Sequence, residues 1–454
     1  MRVNAYNIFL QQHRFDLIFK YLYVKNPTAY NRVAYLESIR AFNGGYEHCP
    51  SDGIPKNSLD DFINSFDKLI ETIKRDGFDV TRGVIPIQKN GDISDGAHRL
   101  AICAALGINI EVEVNENHDA WLYSFFLQRG MNKRIMDYGA LEYVKLNPNA
   151  YIVNLHSVTN PQNDNEVIRI LEKYGFVYYK RDVKLSLNGY ANLKKISYGS
   201  FWNNEQWIGT PENGFAGALD HAKHTTGEYP CRVFVFVCDN LEKVLRAKAE
   251  IRAIYNIGNY SVHINDTHEE AIWLAETYFN ENSLFWVKNR PLGYEDKIFD
   301  DHIEYFKQAI FERGGNADDY CVIGSAPLNA YGITHTNKIE YVTSSIISPQ
   351  DDAIIHREID PVVNGSLVEN IVTNPIFYFY YHGIKVCSIP TIFKIKIRRG
   401  KKGDFIDCIR MSTIWVRTWG NSYYRWKKKV KTDLKDIKWL VALYMSVKRL
   451  VKRK

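Results

Sequence analysis

Residues 91–107 read GDISDGAHRLAICAALG. Within five positions the chain sets Asp95, His98 and Arg99 at the mouth of an apolar run with helical spacing. A helix start carries unpaired N–H groups and the positive end of the helix dipole, and so attracts anions. Gly96 lets the backbone approach a ligand closely. Arg99 can clamp a phosphate with its forked donors. His98 can donate to a phosphoryl oxygen or shuttle a proton, and Asp95 can accept one or orient His98. The plainer alternative is that Asp95 caps the helix while His98 and Arg99 pair on its surface.

The surroundings of this segment read as a small α/β unit. Upstream, LDDFINSFDKLIETIKRDGF places Leu59, Phe62, Ile63, Phe66, Leu69, Ile70 and Ile73 at helical spacing, with Ser58 as N-cap and Gly77 as stop. VIPIQKNGDISDG reads as a hairpin turning at Asn90-Gly91, and INIEVEV, after the helix, as a strand. Residues 1 to about 75 read as helical, so residues 1–150 form a helical arm plus this unit.

ISDGAHRLAICAALG resembles the DGxHR motif of the ParB/sulfiredoxin-like superfamily, with matches at Asp95, Gly96, His98 and Arg99. The resemblance spans residues 35 to about 115, with Pro86 in a preceding IPI strand. It implies a helix N-terminus that holds nucleotide phosphates, with ATP or another nucleotide as cofactor and Mg²⁺ as a companion ion. Upstream, FNGGYEHCPSDGIPK can bring Lys56 to the phosphates and Glu47 to the site as general base toward a hydroxyl acceptor. The motif carries no adjacent reactive cysteine, since Cys103 falls on a core position of the helix, which argues against sulfinic-acid repair. No helix-turn-helix block follows it, which argues against DNA partition.

The middle region, residues 151–295, reads as a second α/β domain. It contains the buried strand CRVFVFVCD, the helix NLEKVLRAKAEIRAIYNIG, the strand SVHIND and the helix THEEAIWLAETYFNEN. Asp266 or Thr267 can cap that last helix. Lys248 and Arg252, one helical turn apart, repel unless an acid or anion lies between them. Together with His263 and Asp266 they outline a second phosphate- or sugar-binding site. No spacing typical of a zinc site occurs.

Residues 296–422 open with the helix DDHIEYFKQAIFERGG. CVIGSAPLNAYGITHTNKIEYV then resembles the start of the nucleotidyltransferase fold, with Gly324 and Ser325 as its Gly-Ser turn. The resemblance implies an Asp-x-Asp pair holding Mg²⁺, but those positions carry Lys338 and Glu340. A lysine repels the ion, and one carboxylate holds Mg²⁺ poorly. On the later strand, the third acid's position falls near Asn370, with Glu369 one step out of phase. The domain therefore reads as a weakened or inactive copy, and its NPIFYFYYHGIKV segment resembles glycan-associated members of the fold.

Bulk properties agree with a multidomain α/β (α+β) chain. Its 454 residues exceed one ordinary core, and 45% hydrophobic with 24% charged is globular composition. Seven scattered cysteines without CxxC spacing suit buried thiols in a reducing cytoplasm. The N-terminus shows no secretory h-region, and no apolar stretch reaches the roughly 18 residues of a membrane span. Charge is concentrated at the end: Tyr423–Lys454 holds twelve Lys or Arg and two Asp, +10, leaving about −4 for the rest of a chain of net +6. Its stripe of Trp439, Leu440, Leu443, Val447, Leu450 and Val451 suits an amphipathic helix on an anionic membrane surface, in preference to nucleic acid.

These features together resemble proteins of bacterial surface-polysaccharide biosynthesis. The expectation is a cytoplasmic protein, peripheral on the inner face of the membrane. It would be a kinase-like phosphotransferase acting on a sugar, polyol or lipid-linked glycan. The competing expectations are a nucleotide-binding scaffold without turnover and a ParB-like nucleic-acid-binding protein.

Overall fold

The computed structural model describes residues 1–48, 55–116, 121–200, 206–358, 363 and 365–418. Among them the chain is mixed α/β with three small sheets, divided between two compact units. Unit 1 comprises Met1–Gly209 and Ala216–Leu284; unit 2 comprises Thr210–Phe215 and Phe285–Lys454. The divide expected near residue 150 falls inside unit 1, and unit 2 resumes at Phe285, close to the divide expected near 295. The basic segment Tyr423–Lys454 lies outside the described residues.

In unit 1 the first sheet holds β1 (Arg2–Asn4), β2 (Ile85–Ile87) and β3 (Asn109–Val114) in the order β1-β3-β2. β1 corrects the expectation of an all-helical arm: three residues are too short to show a period, and they pair antiparallel with β3 through Val3 and Ile110. The hairpin expected at Asn90-Gly91 reduces to a single antiparallel bridge, Ile87 to Ile93. β2 instead runs parallel to β3, joined through the Ala97–Leu106 helix. That helix is enclosed by the Ala5–Leu10, Leu17–Lys25 and Leu59–Asp76 helices, so Leu100, Ala101, Ile102 and Cys103 are fully buried. The Leu59–Asp76 helix forms as its period predicts. Ser58 Oγ accepts from Asp61 N and Gly77 ends it.

The second sheet of unit 1 holds β4 (Ala150–Leu155), β5 (Phe176–Val183), β6 (Cys231–Val237) and β7 (Val262–Ile264), all antiparallel, in the order β5-β6-β4-β7. Strand alternation sorts its faces. Val153, Leu155, Phe234, Phe236, Val262 and Ile264 form one core with the Asp164–Tyr174 and Leu241–Tyr255 helices. Each phenylalanine buried there is worth roughly 1.5–3 kcal/mol. Asn154 and His263 stand opposite each other on the other face, which the chain extends to His156. This second face is buried and mixed, with Ile152, Val233 and Val235 beside Asn154 and His263.

In unit 2, β8 (Tyr320–Ile323), β9 (Ile339–Thr343), β10 (Ile355–Arg357), β11 (Tyr378–Tyr381) and β12 (Ile384–Cys387) form a mixed sheet in the order β10-β9-β8-β12-β11. β11 and β12 form a hairpin through His382 and Gly383, both at positive φ as a type I′ turn requires. Glu369 and Asn370 lie on the Gly365–Thr373 helix rather than on a strand. Ile371 and Val372 are buried, and helical packing wins over the alternation of the tyrosines that follow. Among the described residues no helix is long and apolar enough to cross a membrane.

Candidate functional site

The Ala97–Leu106 helix begins at Gly96, whose φ of 79° places it in the left-handed region, and no side chain caps its N-terminus. Asp95 is exposed and does not cap the helix. The reading of Asp95 as helix cap therefore does not hold. A side chain at Gly96 would press on Ile85 Cγ1 at 3.3 Å in a backbone conformation that L-residues avoid.

His98 turns inward. Its Nε2 shares a hydrogen bond with Tyr35 Oη at 3.1 Å, and its ring meets the Phe66 ring edge-on at 4.7 Å. Arg99 turns the other way, donating from Nη1 to the carbonyls of Arg82 and Gly83 at 3.2 and 2.6 Å. It thereby ties the loop before β2 to the helix start. Glu47 and Lys56 exchange two main-chain hydrogen bonds of 2.9 Å, and Lys56 Nζ lies 2.7 Å from Glu47 Oε2. Glu47 and Lys56 thus meet each other, and the Lys56 charge reaches His98.

Sequence reading missed a buried group beside these residues. Arg14 Nε donates to Asp16 Oδ1 at 2.8 Å, and Lys20 Nζ pairs with the other carboxylate oxygen. All three are buried, Asp16 and Lys20 at 1% exposure. Burial opposes ionisation of Asp16, but the two cations prevail and hold its carboxyl well below the usual range. Removal from water, then the Lys20 charge, then Arg14 and Lys56, push His98 well below its usual pKa against the pull of Asp16. His98 is therefore a neutral imidazole at pH 7. Arg14 and Lys20 are both paired with Asp16, and Lys56 is paired with Glu47. One signal was available: Lys20 interrupts the apolar run LIFKYLY, and a lysine there needs a buried partner.

In the middle region the expected residues divide into two contacts. Lys248 Nζ donates to Ile264 O at 2.8 Å and lies 3.3 Å from Asp266 Oδ1. His263 Nε2 lies 2.7 Å from Glu270 Oε1, and its Nδ1 lies 3.2 Å from Tyr198 Oη. Thr267, rather than Asp266, caps the following helix. Arg252 shares neither contact, and among the described residues its buried Nε has no partner.

In unit 2, Gly324 follows β8 and packs on Glu340, where an added Cβ would fall 1.7 Å from the carboxylate. Ser325 precedes a short helix and Lys338 is exposed. Arg399 lies in the field of Glu340, with Nη1 3.4 Å from Glu358 Oε2 and Nη2 2.6 Å from Asp404 Oδ1. A guanidinium thus neutralises these carboxylates, and the donor set does not fit Mg²⁺. Among the described residues no group of three or more His, Cys, Asp or Glu is placed to hold a metal ion. Near His98, the exposed Asp95 could supply one carboxylate to an ion held chiefly by substrate phosphates. No protein-family profile, no curated protein and no solved structure matches this chain.

Proposed function

We propose that unit 1 is a nucleotide-dependent phosphotransferase of kinase type, taking ATP or another nucleotide with Mg²⁺. The acceptor is a sugar, polyol or lipid-linked glycan of bacterial surface-polysaccharide biosynthesis. The observation that carries this reading is the uncapped start of the Ala97–Leu106 helix, with the charges of Lys20, Arg14 and Lys56 acting on His98 in its first turn. Phosphoryl transfer depends on positioning and on charge placed where negative charge develops. In this reading the helix N–H groups and Lys56 hold the phosphates, and neutral His98 donates to a phosphoryl oxygen. Asp95 meets Mg²⁺, Glu47 accepts the acceptor's proton, and Arg99 acts as a positioning residue through the loop it ties down.

A second reading is a nucleotide-binding scaffold without turnover. The Glu47–Lys56 ion pair favours it, because a base held by an ammonium is a weak one. The ParB/sulfiredoxin-like and nucleotidyltransferase-like assignments belong to the same proposal, with unit 2 as an inactive copy. So does peripheral attachment through Tyr423–Lys454 to the inner, anionic face of a membrane.

The test is the melting temperature of the full chain against a panel of nucleoside triphosphates, with and without Mg²⁺, repeated on Asp95→Ala and Lys56→Met. A nucleotide at 100 times its Kd stabilises by about 2.7 kcal/mol. A shift with one nucleotide that both variants lose, together with nucleoside diphosphate release when glycan acceptors are added, is the expected result. Binding without release selects the scaffold. No shift with any nucleotide overturns both readings.

A further inference from the structure

An imidazole can serve a ligand as a fixed hydrogen-bond donor or as a carrier of protons, and the group behind it decides between the two. Behind His98 stands Tyr35, on the Ala29–Asn43 helix. Its side chain is fully buried, and its ring packs against those of Tyr23 and Phe66 at 5.7 and 4.8 Å. Tyr35 Oη lies 3.1 Å from His98 Nε2 and has no other hydrogen-bond partner among the described residues.

A phenol carries one proton, and a buried donor left unpaired is costly, so the hydroxyl donates and Nε2 accepts. The single proton of the neutral ring then sits on Nδ1. The reverse arrangement, with Nε2–H donating, strands the phenol proton in the interior. The usual penalty for a stranded donor makes the first arrangement about 5- to 150-fold more populated. Nε2 is thus spent on Tyr35. Nδ1, by contrast, has no partner among the described residues and is not sealed from solvent.

The same surroundings close the routes for proton transfer through the ring. To release the Nδ1 proton and take another at Nε2, His98 would have to leave Tyr35 as a buried phenolate. Burial, followed by the charge of Asp67, pushes the Tyr35 hydroxyl well above its usual pKa. Taking up a second proton would instead make an imidazolium, which burial and the neighbouring cations oppose.

We propose that Tyr35 holds His98 as its Nδ1–H tautomer, so that His98 meets an oxyanion as a hydrogen-bond donor and does not shuttle protons. Tyr35 is a positioning residue, acting on the ligand only through the imidazole. An oxyanion presents acceptors, which this tautomer attracts and a bare Nδ1 would repel. That the oxyanion belongs to a nucleotide rests on the phosphotransferase reading; the tautomer does not.

The experiment uses the full chain, labelled with ¹⁵N in its histidine rings, at neutral pH, where protonated and bare ring nitrogens resonate far apart. His98→Asn, and independently His98→Gln, identifies the His98 resonances by their loss. The expected result is a protonated Nδ1 and a bare Nε2, with the other tautomer at most about a fifth as populated. Tyr35→Phe removes only the hydroxyl and should lower that ratio about fivefold or more. ATP with Mg²⁺ should then move Nδ1 of the wild type further than Nε2. A proton found on Nε2 in the wild type, or a ratio unchanged in folded Tyr35→Phe, overturns the proposal. Nδ1 protonated but unmoved by any nucleoside triphosphate overturns the phosphotransferase reading instead, with the tautomer upheld.

Discussion

Lys194 Nζ faces an imidazole nitrogen of His156 at 3.3 Å, in a buried setting where a lysine ordinarily meets a carboxylate. Removal from water is the largest influence on Lys194. Against the opposing charge of Glu270 it brings the pKa down to about 8 from 10.5. Between those two values the unfolded chain keeps a proton that the folded chain has released. Stability therefore rises with pH across that window, by up to about 1.4 kcal/mol per pH unit from this group. Melting temperatures of wild type and Lys194→Met from pH 7.5 to 10.5 isolate it. The wild-type curve should climb relative to the variant, and parallel curves would show that Lys194 titrates normally.

His98 and His156 behave in the opposite pH range. Loss of hydration, reinforced by nearby cations, pushes both well below 6.5, so on acidification the unfolded chain takes up protons that the folded chain refuses. Stability is lost as pH falls below about 6.5, by up to about 1.4 kcal/mol per unit for each ring. His98→Asn should flatten the decline between pH 7 and 5 in urea unfolding, and an unchanged slope would contradict it.

Asp16 joins Arg14 and Lys20 in the interior, and removing its charge strands two buried cations. Asp16→Asn should cost about 3–5 kcal/mol, the usual penalty for breaking a buried pair from one side. Asp16→Asn with Lys20→Met should recover part of that loss in urea unfolding, because the second change removes one stranded charge.

Arg399 occupies the centre of a carboxylate group formed by Glu340, Glu358 and Asp404. Arg399→Ser should lower the melting temperature, because Glu358 loses its contact with the guanidinium while Asp404 keeps Lys396 as a partner. A melting temperature equal to that of wild type would show that Arg399 is not what neutralises the carboxylates.

Features written in neighbouring residues were legible before the structure. The Leu59–Asp76 helix carried its period, cap and stop in one segment, and the buried strand Cys231–Val237 carried its apolar run. Glu47 and Lys56 were read as reaching one site, but their ion pair with each other was not foreseen. The short strand β1 was not legible, since its pairing with β3 is a relation to residues about a hundred positions away. Arg99 was read by its donors, but which acceptors those donors find is decided by the loop at Arg82 and Gly83. His156, Lys194 and His221 left no motif at all. Each comes from a different element, and only strand alternation together with the placing of two helices brings them together.

The order of synthesis gives one further meaning to the division of the chain. Thr210–Phe215 belongs with residues from Phe285 onward, while unit 1 needs Ala216–Leu284 to complete itself. β6 and β7, half of the second sheet in unit 1, leave the ribosome after that excursion. Domains fold as units, the N-terminal ones first during translation. Here the earlier unit stays open until residue 284 has emerged, and the short segment waits unpaired for a partner not yet made. The nascent chain thus exposes the apolar β4 for longer than a contiguous domain would.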